Sequence, residues 1–142
     1  VHANPESLVR EVVSHPITMI ASDGFKGHPR NAGCFSRILG KYVRENKDLS
    51  LMLALKKCSY WPAKRLEKCA PAFKNKGRIK VGADADLIIF DAKTIIDKST
   101  FTNAAQYSSG IKYTLVNGVA VVKDGQFQKD TFPGRPARGQ IR

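Results

Sequence analysis

Two groups of residues in this chain could do chemistry. The first is Ile20-Ala21-Ser22-Asp23-Gly24, followed by His28-Pro29-Arg30. The segment leading into Asp23, residues 17–21 (ITMIA), is apolar and rich in β-branching, which predicts a buried strand. A carboxylate at the C-terminal end of a buried parallel strand stands where α/β barrels carry their catalytic groups. There it could ligate a metal, or take the proton of an attacking water. Gly24 would let the chain turn away without crowding it. The same letters also spell an ordinary Asp-Gly turn, and Asp124-Gly125 is a second such pair. On spacing alone the turn reading carries more weight.

The second group is basic. Lys56, Lys57, Lys64, Arg65, Lys68, Lys74, Lys76, Arg78 and Lys80 crowd a 25-residue stretch whose one acid is Glu67. Tyr60, Trp61 and Phe73 lie among them. Cations interleaved with aromatics could grip a single-stranded nucleic acid by phosphate contact and stacking. They also describe a solvated helical face with its aromatics turned inward. No nucleic-acid motif of known spacing accompanies them, so nucleic acid is not the expected partner. Cys34, Cys58 and Cys69 are odd in number and lack CxxC spacing, and they read as small buried apolar residues. His2, His15 and His28 form no ligand cluster; His2 and His15 read as structural.

The elements that must position these groups change character along the chain. Asn4-Pro5-Glu6 predicts a helix start with Asn4 as its cap, and Leu8, Val9, Val12 and Val13 supply its apolar stripe. His15-Pro16 should end it. The apolar strand 17–21 follows, and residues 25–35 read as a loop. Ser36 should cap a helix carrying Ile38, Leu39, Tyr42 and Val43. Ser50 should cap another carrying Leu51, Met52, Leu55 and Cys58, and Pro62 should open a short helix over 63–68. Beyond Lys74 the pattern becomes strand-like: LIIF at 87–90, then alternation through Ile111, Tyr113 and Leu115. Asn117-Gly118 provides a type I′ turn into 119–123, and Asp124-Gly125 turns again into 126–128. So small an antiparallel sheet should need further strands from elsewhere.

Composition limits the options. The chain has 142 residues, 42% hydrophobic and 25% charged, which is globular rather than disordered. It is too short for a complete (β/α)₈ barrel, which takes about 200–250 residues. Its 24 Lys and Arg against 12 Asp and Glu give +12, which permits polyanion binding without demonstrating it. No apolar run approaches the roughly 18 residues of a membrane span, and no signal peptide opens the sequence, so a membrane partner is not expected and a cytoplasmic setting is. The first residue is Val rather than Met, which points to a fragment.

Taken in order, ASDG, HPR, Gly33, CFSRILGKYVRE, LSLMLALKKCSYWPAKRL, GRIKVGADADLIIFD, QYSSGIKYTLVNGVAVVKDGQF and PGRPARG resemble the C-terminal third of the N-acyl-D-amino-acid deacylases (D-aminoacylases), members of the amidohydrolase superfamily. The resemblance covers about Pro5 to the end. It implies an α/β chain: the last strand and helices of a metal-dependent (β/α)₈ barrel over 1–73, then part of a small β-sandwich over 74–142. It implies zinc in the complete enzyme and hydrolysis of an N-acyl-D-amino acid to a carboxylate and a D-amino acid. It assigns Asp23 as proton acceptor and possible metal ligand, Arg30 as holder of the substrate carboxylate, His28 as a shaper of the same loop, and Gly24 as a backbone requirement. The rest of the barrel would come from sequence upstream or from another chain.

Some positions depart from the family pattern. The loop between Asp23 and His28 is shorter, Met52 and Leu53 replace two acids, and Cys34 replaces Thr. The family's His-x-His, Cys and two later His fall on strands not present here, so the isolated chain is expected to be inactive. Two alternatives accompany this reading. One is a hydantoinase- or dihydroorotase-like cyclic amidase, against which HPR argues. The other is a non-catalytic, truncated homologue acting as a basic binding module.

Overall fold

The computed structural model describes residues 4–139. His2, read from sequence as structural, lies outside them. Helix α1, Glu6–Ser14, begins one residue later than a cap at Asn4 would place it: Pro5, extended at ψ 150°, takes the cap position and offers no side-chain bond. Its preset φ supplies the geometry that a capping side chain would otherwise fix. The helix stops at His15, whose ψ of 132° is the extended conformation demanded by Pro16. Of the predicted stripe, Val9 and Val13 enter the core, while Leu8 and Val12 remain exposed.

Helix α2, Arg30–Arg37, starts well before Ser36. Pro29 presets φ and already sits at helical values of −59° and −28°, so the expected loop is only its first half, and Ser36 is buried inside the helix instead of capping it. The helix continues through widened turns over Ile38–Glu45, closed by Asn46 N–H to the Lys41 carbonyl at 2.8 Å. Ser50 does cap α3, Leu51–Leu55, its Oγ accepting Leu53 N–H at 3.3 Å. Helix α3 runs through a widened turn, Lys56–Tyr60, straight into α4, Trp61–Leu66. That turn lies just ahead of Pro62, where the missing N–H breaks the regular bonding ladder, and an i→i−5 bond accommodates the gap. A short 3₁₀ turn, Pro71–Asn75, leads out of the helices.

Four strands form an antiparallel meander in chain order: β1 (Leu87–Phe90), β2 (Ile111–Val116), β3 (Val119–Lys123) and β4 (Gln126–Phe127). Both predicted turns are present. Asn117 and Gly118 take φ of 48° and 79°, and Asp124 and Gly125 take 52° and 77°, the paired left-handed residues of type I′. β1 is an outer strand of the sheet, and Ile88 and Ile89 on it are about half exposed. One core joins the two halves: Ile95, from the connection after β1, packs with Val13, Ile38, Leu39, Tyr42, Leu49 and Ala54, and Phe90 and Ile111 pack against them.

Candidate active site

Residues 17–21 belong to no ladder among the described residues, and Ile17 lies in the turn closed by Thr18 N–H on the His15 carbonyl, so the expected buried strand is corrected to an unpaired segment. A strand needs neighbours, and here none of the described strands lies beside it. Its burial nevertheless alternates. Thr18, Ile20 and Ser22 are half-buried, and Ile17, Met19, Ala21 and Asp23 are exposed. The inward side is fixed by Ile20, which packs on the core and gives its N–H to the Lys57 carbonyl at 3.1 Å. One face is therefore bare, and Asp23 continues that face at the C-terminal end.

Asp23 sits at φ 44°, a left-handed conformation that Asp and Asn tolerate better than most residues. Its side chain is 84% exposed, and its Oδ2 accepts a bond from Arg30 Nη2 at 2.7 Å. Gly24 follows with almost no room beside it: an added Cβ would stand 2.8 Å from the Asn31 Cα and 2.5 Å from its Oδ1. This is the backbone requirement expected of it. The left-handed turn at Asp23 and the close pass at Gly24 carry the chain back over the start of α2, which delivers Arg30 to Asp23.

Arg30 is the first residue of α2, and its guanidinium lies over the Phe25 ring at 5.1 Å. Its Nε is buried without a partner among the described residues. His28 Nδ1 accepts the Arg30 backbone N–H at 3.1 Å, so the neutral imidazole carries its proton on Nε2. The His28 ring stands between Phe25, at 5.3 Å, and Phe101, at 5.1 Å. The four predicted site residues are thus contiguous, and Phe25 and Phe101 join them. Phe101 was beyond sequence reasoning, because it arrives from the connection between β1 and β2.

The structure places Lys57 differently from the sequence reading. It was counted in the solvated basic run, yet it is fully buried. Its Nζ donates to the His15 carbonyl at 2.5 Å, the Thr18 carbonyl at 2.9 Å and Thr18 Oγ1 at 2.8 Å. Burial pushes its ammonium pKa down. Helical spacing held the signal, since Lys57 follows buried Ala54 by three residues and precedes half-buried Trp61 by four. Much of the remaining run is already partnered. Lys76 binds Asp84 at 2.9 Å and Asp86 at 2.5 Å, and Glu67 takes both Lys64 and Arg78. Tyr60 lies under Arg78, with the guanidinium 5.3 Å from its ring.

Burial disfavours the thiolate form of two of the three cysteines. It pushes Cys34 up, and Cys58 up to about 12. Cys69 departs from expectation by being exposed rather than buried. A protein-held zinc needs about four donors, three of them protein groups even in catalytic sites. Among the described residues no three His, Cys, Asp or Glu converge, so this chain by itself does not fit the metal; at most it offers the Asp23 carboxylate.

Residues 2–122 match the amidohydrolase family model. An N-acyl-D-glutamate deacylase of Alcaligenes xylosoxydans xylosoxydans is 40% identical over 140 residues, 96% of this chain and 27% of its own length. An N-acyl-D-aspartate deacylase of the same organism is 34% identical over 131 residues, 89% of this chain and 25% of its own. The crystal structure of N-acyl-D-glutamate deacylase from Bordetella bronchiseptica, complexed with zinc and a phosphonate mimic of the tetrahedral intermediate, superposes with a TM-score of 0.84 at 34% identity. That match covers 95% of this chain and 28% of the other. The chain therefore spans about a quarter of the length of the curated relatives it matches. With most of its residues matched in sequence and in fold, the chain belongs to the amidohydrolase family.

Proposed function

We propose that the chain is the C-terminal part of a zinc-dependent deacylase that hydrolyses N-acyl-D-amino acids. One observation carries the reading: a carboxylate and a guanidinium, joined at 2.7 Å, stand at the end of an unpaired segment with one exposed face. In this reading residues 1–73 close a (β/α)₈ barrel, 74–142 contribute to a β-sandwich, and the bare face of 17–23 looks into the barrel. The remaining strands, with the zinc donors, come from upstream sequence or a second polypeptide. The free cysteines suit a reducing, cytoplasmic setting.

The residues divide the work as follows. Before substrate arrives, Arg30 neutralises Asp23. The α-carboxylate of an N-acyl-D-amino acid competes for the same planar fork, whose five N–H groups suit a carboxylate better than an ammonium would. As Arg30 engages the substrate, Asp23 is released to accept the proton of the attacking water and to hand it to the leaving amine. His28, bonded to the Arg30 backbone, holds the start of α2 in register for that grip.

The test is hydrolysis of N-acetyl-D-amino acids by the complete, zinc-loaded barrel. Wild type should act on them. Asp23→Asn should lose about 10²–10⁴-fold in kcat without losing thermal stability. Residues 1–142 alone, with zinc, should be inert. Preference for hydantoins or dihydroorotate would favour a cyclic amidase, and full activity of Asp23→Asn would refute the role given to the carboxylate.

A further inference from the structure

Beside the ion pair lies an aromatic edge that the reaction itself does not require. Phe25, whose ring supports the Arg30 guanidinium, is 56% exposed, and so is Phe101. His28 stands between them, making a tilted contact with one and an edge-on contact with the other. Phe101 is brought from far along the chain by a well-anchored connection. That connection begins at buried Ile95, and Asp97 accepts a bond from Arg37 of α2 at 3.4 Å. Ser108 Oγ reaches the Ala32 carbonyl of the same helix at 3.5 Å. Ser99 Oγ donates to the Gln106 carbonyl at 3.1 Å and Gln106 Nε2 to the Lys98 carbonyl at 2.6 Å, bracing the span between. The ring is thus fixed to the helix that carries Arg30.

We infer that Phe25, His28 and Phe101 form one wall of the subsite for the D-side chain, with Phe101 as a specificity determinant that selects apolar side chains. The inference rests on the deacylase reading above. A carboxylate gripped by Arg30 places its own α-carbon, and the side chain on that carbon, within a few bonds of the guanidinium. The Phe25 ring is 5.1 Å from the guanidinium carbon, and the wall extends from there through His28 to Phe101. The acyl carbonyl carbon stands one bond further from that carboxylate than the first side-chain carbon does. The Phe25 and Phe101 rings on either side of His28 offer apolar contact and give no hydrogen bond to a second carboxylate, leaving His28 Nε2 as the donor among the three.

The experiment compares kcat/KM for N-acetyl-D-phenylalanine, N-acetyl-D-leucine, N-acetyl-D-alanine and N-acetyl-D-glutamate in the complete zinc-loaded enzyme. Wild type should prefer the phenylalanyl and leucyl substrates. Phe101→Ala should lower the phenylalanine-to-alanine ratio about tenfold, the scale of one apolar contact in a pocket. Phe101→Leu should restore most of the leucine preference. Each ratio is taken on one preparation, so a smaller folded fraction cancels. If wild type hydrolyses none of the four, the deacylase reading falls, and this inference with it. If wild type hydrolyses them but prefers glutamate, or if both Phe101 variants keep the wild-type ratios, only the assignment of the wall is overturned.

Discussion

Replacing Lys57 by Met tests whether its ammonium is a strut or merely the tip of a space-filling stem. Met keeps most of the stem's volume, so the substitution opens little cavity and acts chiefly on the three hydrogen bonds. Those bonds are not equally exposed to the loss. The His15 carbonyl also accepts Thr18 N–H at 3.2 Å, and the single proton of Thr18 Oγ1 is shared between the Val12 carbonyl at 2.7 Å and the His15 carbonyl at 2.9 Å. Among the bonds seen in the described residues, only the Thr18 carbonyl loses its donor outright. Bonds from a charged donor contribute about 1.5–3 kcal/mol each, and one orphaned carbonyl costs about 1–3 kcal/mol. Freed from burying an ammonium, the variant recovers several kcal/mol of that sum. The net expectation is a loss of about 2 kcal/mol, which at a urea slope of 1–3 kcal/mol/M lowers the midpoint by about 1 M. Far-UV circular dichroism and Trp61 fluorescence both report on it, since the indole ring lies 5.8 Å from Nζ. Lys57→Ala should lose more, because it adds a cavity. A Met variant within about 0.2 M of wild type, beside a damaged Ala variant, would show that the stem matters and the ammonium tie does not.

Other expectations follow from the same geometry. Gly24→Ala should destabilise by about 1–3 kcal/mol, because its Cβ meets the Asn31 backbone; thermal unfolding measures it, and an unchanged midpoint would contradict the close pass. Glu6 is held low by its bond from Lys41, with Tyr42 adding a second, and Asp48 is held low by Arg10. Both folded values lie below the unfolded ones, so their stabilisation is complete above ordinary carboxylate values and vanishes as pH falls through the folded ones. A urea-midpoint profile from about pH 6 to pH 2 should therefore decline on the acid side, less steeply in Glu6→Gln. Oligonucleotides should not be retained at about 0.15 M salt. Retention with a steep negative salt slope would revive the basic-module reading.

The features legible in the sequence are those fixed by neighbours in the chain. Pro16 stops α1, Ser50 caps α3, and Asn117-Gly118 turns the hairpin through contacts within a few residues. The order ASDG then HPR pointed to the pair that the structure joins. What was hidden depends on distant partners. Whether residues 17–21 pair as a strand is decided by what lies beside them. Ser36 looked like a cap because the helical start at Pro29 was masked by the glycines around it. Lys57 looked like solvent-facing charge because its acceptors lie 39–42 positions away. Phe101 reaches His28 only because a long connection folds back on α2.

The outer rail of β1 sets how the purified polypeptide will behave on the bench. Its outer row of amides, which pairs with no strand among the described residues and is flanked by Ile88 and Ile89, is a template onto which a second molecule's strand can stitch itself. Opposing this is a formal charge of +12, which makes like molecules repel in dilute buffer. Added salt screens the repulsion and leaves the stickiness intact. Turbidity should therefore grow with ionic strength, the reverse of what a charge-driven precipitate would do.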